Sequence, residues 1–211
     1  MTLSDSGAQP FLPASVYGSA AIAQQERDRY APQFWHPVAS LDALPLGHSL
    51  ALDVQGLPVL LTRTQDSPTA FVNRCPHRGV ALFAASAEAQ ACRRLVCPYH
   101  HWSYDLEGKL AGAPRMEAHK TFDKSNCRLP QFPTEEWNGF LFVCLAEDPP
   151  PLAPRLAPLA KLIHNYHVEQ MKMLYVANEI WHTNWKCLIE NFMEGYHLSP
   201  LHKTTLHLVN P

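Results

Sequence analysis

The chain has 211 residues, 46% of them apolar, with 17 Lys and Arg against 19 Asp and Glu. That length supports one or two domains with a sizeable core. A formal charge of −2 without blocks of like charge gives no electrostatic grip on nucleic acid or anionic lipid. Residues 20–35 mix good helix formers with Ile22, Tyr30 and Phe34 near one face, which predicts an N-terminal helix disturbed at Pro32. From about 40 to 147 the texture is short β-type runs broken by Gly, Pro, Asp and Asn: 49–54, 58–62, 70–73, 94–97, 103–105 and 140–145. Gln55-Gly56 and Glu107-Gly108 are the expected hairpin turns. The pattern is that of a small all-β unit.

Inside that unit stand two short cysteine–histidine pairs, Cys75-Pro-His77-Arg-Gly79 and Cys97-Pro-Tyr-His100-His-Trp102. Two loops folded against each other would offer one sulfur and one nitrogen apiece. Such a set suits a Rieske [2Fe–2S] cluster, with two thiolates on one iron and two imidazoles on the other. Tetrahedral zinc is the alternative for the same four side chains. Against zinc stand the single-residue gap between Cys75 and His77 and the prolines after both cysteines. Pro76 and Pro98 pre-bend each loop and leave other backbone N–H groups free to bond cluster sulfurs. Cys92, Cys127, Cys144 and Cys187 read as free thiols, because nothing marks a secreted, disulfide-forming context. The N-terminus lacks a basic stretch followed by an apolar one, and the run 140–146 is too short to span a bilayer, so the expected location is the cytoplasm.

Asp148-Pro-Pro-Pro151 ends the strand texture and is the expected domain boundary, giving an arm at 1–36, a β domain at 37–147 and a further domain from 148 to 211. Beyond it the patterns predict a helix over 155–169, a strand over 173–182 and a second helix over 185–198. On that second helix Glu194 and His197 would share a face, close enough for the carboxylate to bond the imidazole. His202 lies five positions on, and a helix break at Pro200 would let the two imidazoles converge. Paired histidines of this kind suit a mononuclear iron of the two-histidine, one-carboxylate type.

The two motifs in this order resemble the α-subunit of Rieske non-haem iron oxygenases, from the N-terminal helix to the chain end. The resemblance implies an α+β protein: a small all-β Rieske domain with an N-terminal helix, then the beginning of a helix-and-sheet catalytic domain. Carried over by position, Cys75, His77, Cys97 and His100 would hold the [2Fe–2S] cluster, and His197 and His202 the mononuclear Fe(II). Glu194 would link the two centres between subunits of a homotrimer, approached by His100 of a neighbour. Electrons would come from NAD(P)H through a separate flavin reductase, with or without a ferredoxin, to hydroxylate or N-dealkylate a small organic substrate. Glutamate at 194 is more similar to the branch acting on quaternary amines than to the aromatic dihydroxylating branch.

Two positions depart from the family pattern. His101 stands where a glycine usually precedes the tryptophan, and no Asp or Glu follows His202 to act as the third iron ligand. Residues 152–211 are also few for a catalytic domain of ordinary size. The expectation is the front portion of a longer oxygenase. The alternatives are Glu190 or Glu194 as the ligand, or an inactive iron site. The rival reading for the whole chain is a Rieske-type ferredoxin, which carries electrons and has no substrate.

Overall fold

The structure is a computed structural model that describes residues 12–205 except 65, 66, 117, 120 and 178. The first part of the expected arm, residues 1–11, lies outside the described residues. By contacts the chain falls into two compact units, Arg27–Val176 and one joining the residues up to Glu26 with those from Ala177.

The larger unit contains the strands β1 (Trp35–Ser40), β2 (His48–Val54), β3 (Leu57–Arg63), β4 (Pro68–Val72), β5 (Gln90–Ala91), β6 (Leu95–Val96), β7 (Ser103–Tyr104), β8 (Leu110–Gly112), β9 (Gln131–Phe132), β10 (Thr134–Trp137) and β11 (Phe140–Cys144). They form three sheets, ordered β5-β2-β3-β4-β9, β1-β11-β10 and β6-β7-β8. Every pairing is antiparallel.

The five-stranded sheet is covered on both faces, which is why β3 reads as an unbroken apolar run. Side chains alternate along a strand, so Val59 and Leu61 join Leu44, Leu141 and Val143 in one core, while Leu60 joins Phe71, Leu95, Tyr104 and both motif cysteines in the other. Leu60 and Leu61 are fully buried, and each contributes about 2 kcal/mol by leaving water. Thr62, also fully buried, satisfies its hydroxyl by donating to the Leu106 carbonyl at 2.7 Å.

Two expectations about β-structure change. The helix expected over 20–35 is helical to Gln33 but changes form, α over Ala20–Gln25, π over Glu26–Tyr30 and 3₁₀ over Ala31–Gln33, and β1 begins at Trp35, earlier than the sheet was expected to start. Pro32 sits in a 3₁₀ turn, Ala31–Gln33, which ends the helical run. β1 is an edge strand, and its register with β11 shifts between Pro37 and Ala39, a place where a proline without an N–H is tolerated. The β10–β11 hairpin turns on Asn138-Gly139, both at positive φ, a signal the strand reading did not use.

After the prolines, helix Leu152–Ile163 starts on an amide that donates to Glu135 Oε1 at 3.1 Å. It ends short of the expected 155–169 in two 3₁₀ turns separated by His167 at φ 50°. The strand expected over 173–182 is irregular, with Leu174 91% and Ile180 89% exposed. β-branched and aromatic residues favour a strand only where a neighbour covers them, and no partner strand pairs with this segment among the described residues. No described helix is long and apolar enough to cross a membrane.

Candidate metal centres

Both cysteine–histidine loops hang from strand ends and share one backbone frame. In the first, which follows β4, the Cys75 amide donates to the Val80 carbonyl at 2.8 Å and the Gly79 amide to the Cys75 carbonyl at 2.7 Å. In the second, between β6 and β7, Cys97 donates to the Trp102 carbonyl at 2.8 Å and His101 to the Cys97 carbonyl at 3.0 Å. The fourth residue after each cysteine is left-handed, Gly79 at φ 74° and His101 at φ 58°. This explains why glycine suits the second position and why His101 is a departure there, since a side chain in that region costs about 1 kcal/mol.

The four motif side chains converge. Cys75 and Cys97 are 1% and 2% exposed, with neighbouring thiols. The His77 and His100 rings lie 4.7 Å apart at 65°. His77 stacks on Trp102 at 4.6 Å and 4°, and Tyr99 covers His100 at 3.7 Å. His100 Nδ1 is buried with no hydrogen-bond partner, an arrangement that costs free energy unless something else takes the lone pair. Burial, then His77, Arg78 and His101, hold the His100 imidazole below its usual range, so it is neutral and able to ligate. Burial pushes the Cys75 thiol up, against the Tyr104 hydroxyl and the His77 amide, which favour the thiolate. Two buried thiols side by side ionise only beside a compensating cation. The donor set thus fits a [2Fe–2S] group, two sulfurs to one iron and two nitrogens to the other. Among the described residues no group of three or more His, Cys, Asp or Glu is gathered as for a single metal ion.

Two residues of this centre were not singled out from the sequence. Tyr104, fully buried on β7, has its hydroxyl 3.2 Å from Cys75 Sγ. Its position two residues after Trp102 on an alternating strand was the available signal. Asn73 clamps the far side of the first loop, donating to the Phe83 carbonyl at 2.8 Å and accepting from the Leu82 and Phe83 amides at 3.1 and 3.2 Å. With Cys75 a thiolate the phenol would be the donor, and with a cluster bound it would stabilise the more negative, reduced form. Replacing Tyr104 by Phe is therefore expected to lower the reduction potential by on the order of 50 mV, close to the 59 mV of a tenfold one-electron shift. Protein-film voltammetry measures it, and the EPR spectrum should stay that of an intact cluster.

The second constellation lies in the smaller unit, whose helices are α1 (Ser15–Gly18), α2 (Ala20–Gln25), one at Trp185–Met193 and a short one at Leu198–Leu201, with Glu194, His197 and His202 at the ends of the last two. With Leu152–Ile163 as α3, the last two are α4 and α5. The helix expected over 185–198 stops at Met193, and Glu194 is extended at φ −116°, ψ 148°. Glu194 and His197 therefore do not share a helix face. Their contact forms another way: the Glu194 carboxylate accepts the Tyr196 and His197 amides in a tight turn and, with its other oxygen, meets His197 Nδ1. The break comes at Glu194-Gly195, before the expected Pro200, which sits inside the first turn of α5 where proline is tolerated. His197 and His202 flank that single turn with rings 5.5 Å apart at 70°. The His197 hydrogen bond, chiefly, holds the Glu194 carboxyl below the usual carboxylate range. Glu190 is engaged elsewhere, accepting from the Tyr17 hydroxyl at 2.7 Å. Among the described residues neither Glu190 nor Glu194 is gathered with His197 and His202 into a three-residue group that could hold a metal ion.

Comparison with known proteins finds a family for each of the two parts of the chain that carry these groups. The sequence model of the Rieske [2Fe-2S] domain matches residues 34–133, and that of the ring hydroxylating alpha subunit catalytic domain matches residues 163–211. The chain is 30% identical over 195 residues to the carnitine monooxygenase oxygenase subunit of Acinetobacter baumannii, covering 90% of this chain and 52% of that protein. It is 31% identical over 198 residues to the glycine betaine monooxygenase oxygenase subunit of Chromohalobacter salexigens, covering 93% and 44%. Among solved structures, the quaternary ammonium Rieske monooxygenase CntA in complex with L-carnitine superposes with a TM-score of 0.82 at 29% identity, over 90% of this chain and 55% of that one. The chain spans about half the length of the relatives it matches. Matched in sequence through both domains and in structure across its length, it belongs to the Rieske non-haem iron oxygenase α-subunits and corresponds to their N-terminal part.

Proposed function

We propose that this chain works in the oxygenase component of a multicomponent system that uses dioxygen to hydroxylate, or oxidatively N-dealkylate, a quaternary amine. The observation that carries the reading is the presence on one chain of the paired cysteine–histidine loops and the Glu194–His197–His202 group. Cys75 and Cys97 would hold one iron of the cluster, His77 and His100 the other, and His197 and His202 the mononuclear iron. When bound, the cluster supplies one-electron transfer and the ferrous iron supplies open positions for dioxygen.

The chain's own residues do the rest. The Glu194 carboxylate fixes the His197 tautomer by accepting at Nδ1, which leaves Nε2 for the metal and raises its basicity. Trp102 and Tyr99 sandwich the cluster imidazoles and limit water around them. In this reading residues 37–147 carry electrons, residues 148–211 begin the iron domain, and 1–36 are an arm. The assembly is a homotrimer in which His100 of one subunit approaches Glu194 of the next. One structure of CntA is described as giving insight into inter-subunit electron transfer, which supports that arrangement. Reducing equivalents come from NAD(P)H through a flavin reductase, with or without a ferredoxin, in the cytoplasm.

A quaternary-amine substrate is supported by the carnitine and glycine betaine relatives and by glutamate at 194. Electron carriage alone is not favoured, because residues 163–211 match a catalytic-domain model that a carrier does not need. The test is oxygen uptake by the holoprotein with a reductase and NAD(P)H, offered carnitine, glycine betaine or benzoate. Uptake matched by product with an amine is the expected result. Cluster reduction without uptake on any substrate would leave only the carrier.

A further inference from the structure

In the smaller unit the segment before Glu26 is fastened to α4 at several points. Asn184 caps α4 by accepting the Lys186 amide at 3.0 Å, and its side-chain amide donates to the Tyr17 carbonyl at 2.8 Å. The Tyr17 hydroxyl donates to Glu190 Oε1 at 2.7 Å. Lys186 Nζ lies 2.7 and 2.9 Å from the two Glu26 oxygens, and Trp185 Nε1 donates to the same carboxylate at 3.1 Å. Lys186 is 8% exposed and is the one buried charged residue among the described residues. A buried ammonium is strongly dependent on its partner.

Lys186 and Glu190 are four residues apart, so they lie one above the other on a single helix face. Continuing that face by four more residues reaches Glu194, where α4 ends and the turn carrying His197 begins. Towards its end the helix has little apolar hold of its own: Leu188 is partly buried, but Ile189 is 48%, Phe192 75% and Met193 81% exposed. The orientation of the last turn is therefore set by the charged and phenolic anchors of the N-terminal segment.

We propose that Tyr17 and Glu26 are positioning residues for the mononuclear iron site, acting through Glu190 and Lys186 to fix the end of α4 from which Glu194 and His197 project. This rests on the oxygenase reading of that site. The Tyr17–Glu190 bond persists over the working range of pH, because the carboxylate that accepts the proton holds the phenol up at about 12.

The test uses the holoprotein with both centres loaded. The ferrous nitrosyl EPR signal reports the mononuclear geometry, and the reduced-cluster EPR signal reports the fold of the other unit. In Tyr17→Phe the cluster signal is expected unchanged, the nitrosyl signal altered in rhombicity, and kcat about tenfold lower with KM within twofold. Glu26→Gln should act in the same direction, and the charge-swapped pair Glu26→Lys with Lys186→Glu should recover the nitrosyl signal in part, because the ion pair returns but Trp185 Nε1 loses its acceptor. Should the swapped pair fold poorly, Tyr17→Phe still decides, because it removes one oxygen and leaves Lys186 paired. Wild-type nitrosyl spectra in both Tyr17→Phe and Glu26→Gln would overturn the positioning role alone. A wild-type holoprotein that forms no nitrosyl species would overturn the oxygenase reading and this proposal with it.

Discussion

Replacing Glu194 by Gln is expected to leave both metal centres loaded and to cut single-turnover product by about 100-fold, the upper range for a group that orients a metal ligand. Glutamine matches the shape and keeps a carbonyl oxygen, so the turn that accepts the Tyr196 and His197 amides can still form. What disappears is charge. The His197 hydrogen bond holds this carboxyl below its usual range, so it is ionised at any working pH and the substitution removes a full anion. The His197 imidazole loses both its fixed tautomer and the electron density that an anionic acceptor lends the opposite nitrogen. In the trimer proposed above, the group that faces a neighbour's His100 goes as well. Pre-reduced holoprotein, a single addition of dioxygen, a quench and product analysis make the measurement, with iron per chain determined on the same sample. Undiminished product would remove both roles from Glu194.

The second large effect is structural. Gly108, in the turn that Asp105 holds by accepting the Glu107 and Lys109 amides at 3.0 and 2.8 Å, is at φ 79°. A Cβ there would lie 2.5 Å from Phe71 Cε1 and 3.0 Å from Cζ. Phe71 is 1% exposed and shares its core with Cys75, Cys97 and Tyr104, so it has nowhere to move without shifting the sulfur-bearing loops. Overpacking and left-handed strain together make Gly108→Ala worse by about 3 kcal/mol, which for a protein of this size lowers Tm by roughly 10 °C. Melting followed by cluster absorbance is the check. Gly56→Ala is the control: its φ is 82° but its Cβ would meet nothing within 4 Å, so only the strain remains and the shift should be about a third as large.

The parts of the fold that could be read in the sequence were those whose signals are local. The β2–β3 hairpin announced itself through two apolar runs around Gln55-Gly56, and both residues do take positive φ. The paired cysteine–histidine loops were legible because four donors at fixed spacing say more than any hydrophobic period. What escaped depends on neighbours. β1 carries Pro37 and is recruited by β11, which no local pattern in Trp35–Ser40 foretells. The 173–182 segment has strand residues without a strand beside it. At the second constellation the residues were found but their geometry was not. The helical period favoured one long helix, whereas the Glu194 side chain competes for the Tyr196 and His197 amides and ends α4 early. Asn73 was silent, and Tyr104 offered only its spacing from Trp102, because a buried amide and a buried phenol show their partners only once distant strands are assembled.

The sheet walled on both sides by packed side chains has one more result. With a cluster bound, charge arriving at Cys75 and Cys97 would meet the Tyr104 phenol and a backbone frame that close packing holds in place. Dipoles held in this way would need little rearrangement when the charge changes, which would keep the barrier to one-electron transfer low. The rate would in that sense depend on Leu60, Phe71 and Leu129, which pack in the same core as the two sulfurs.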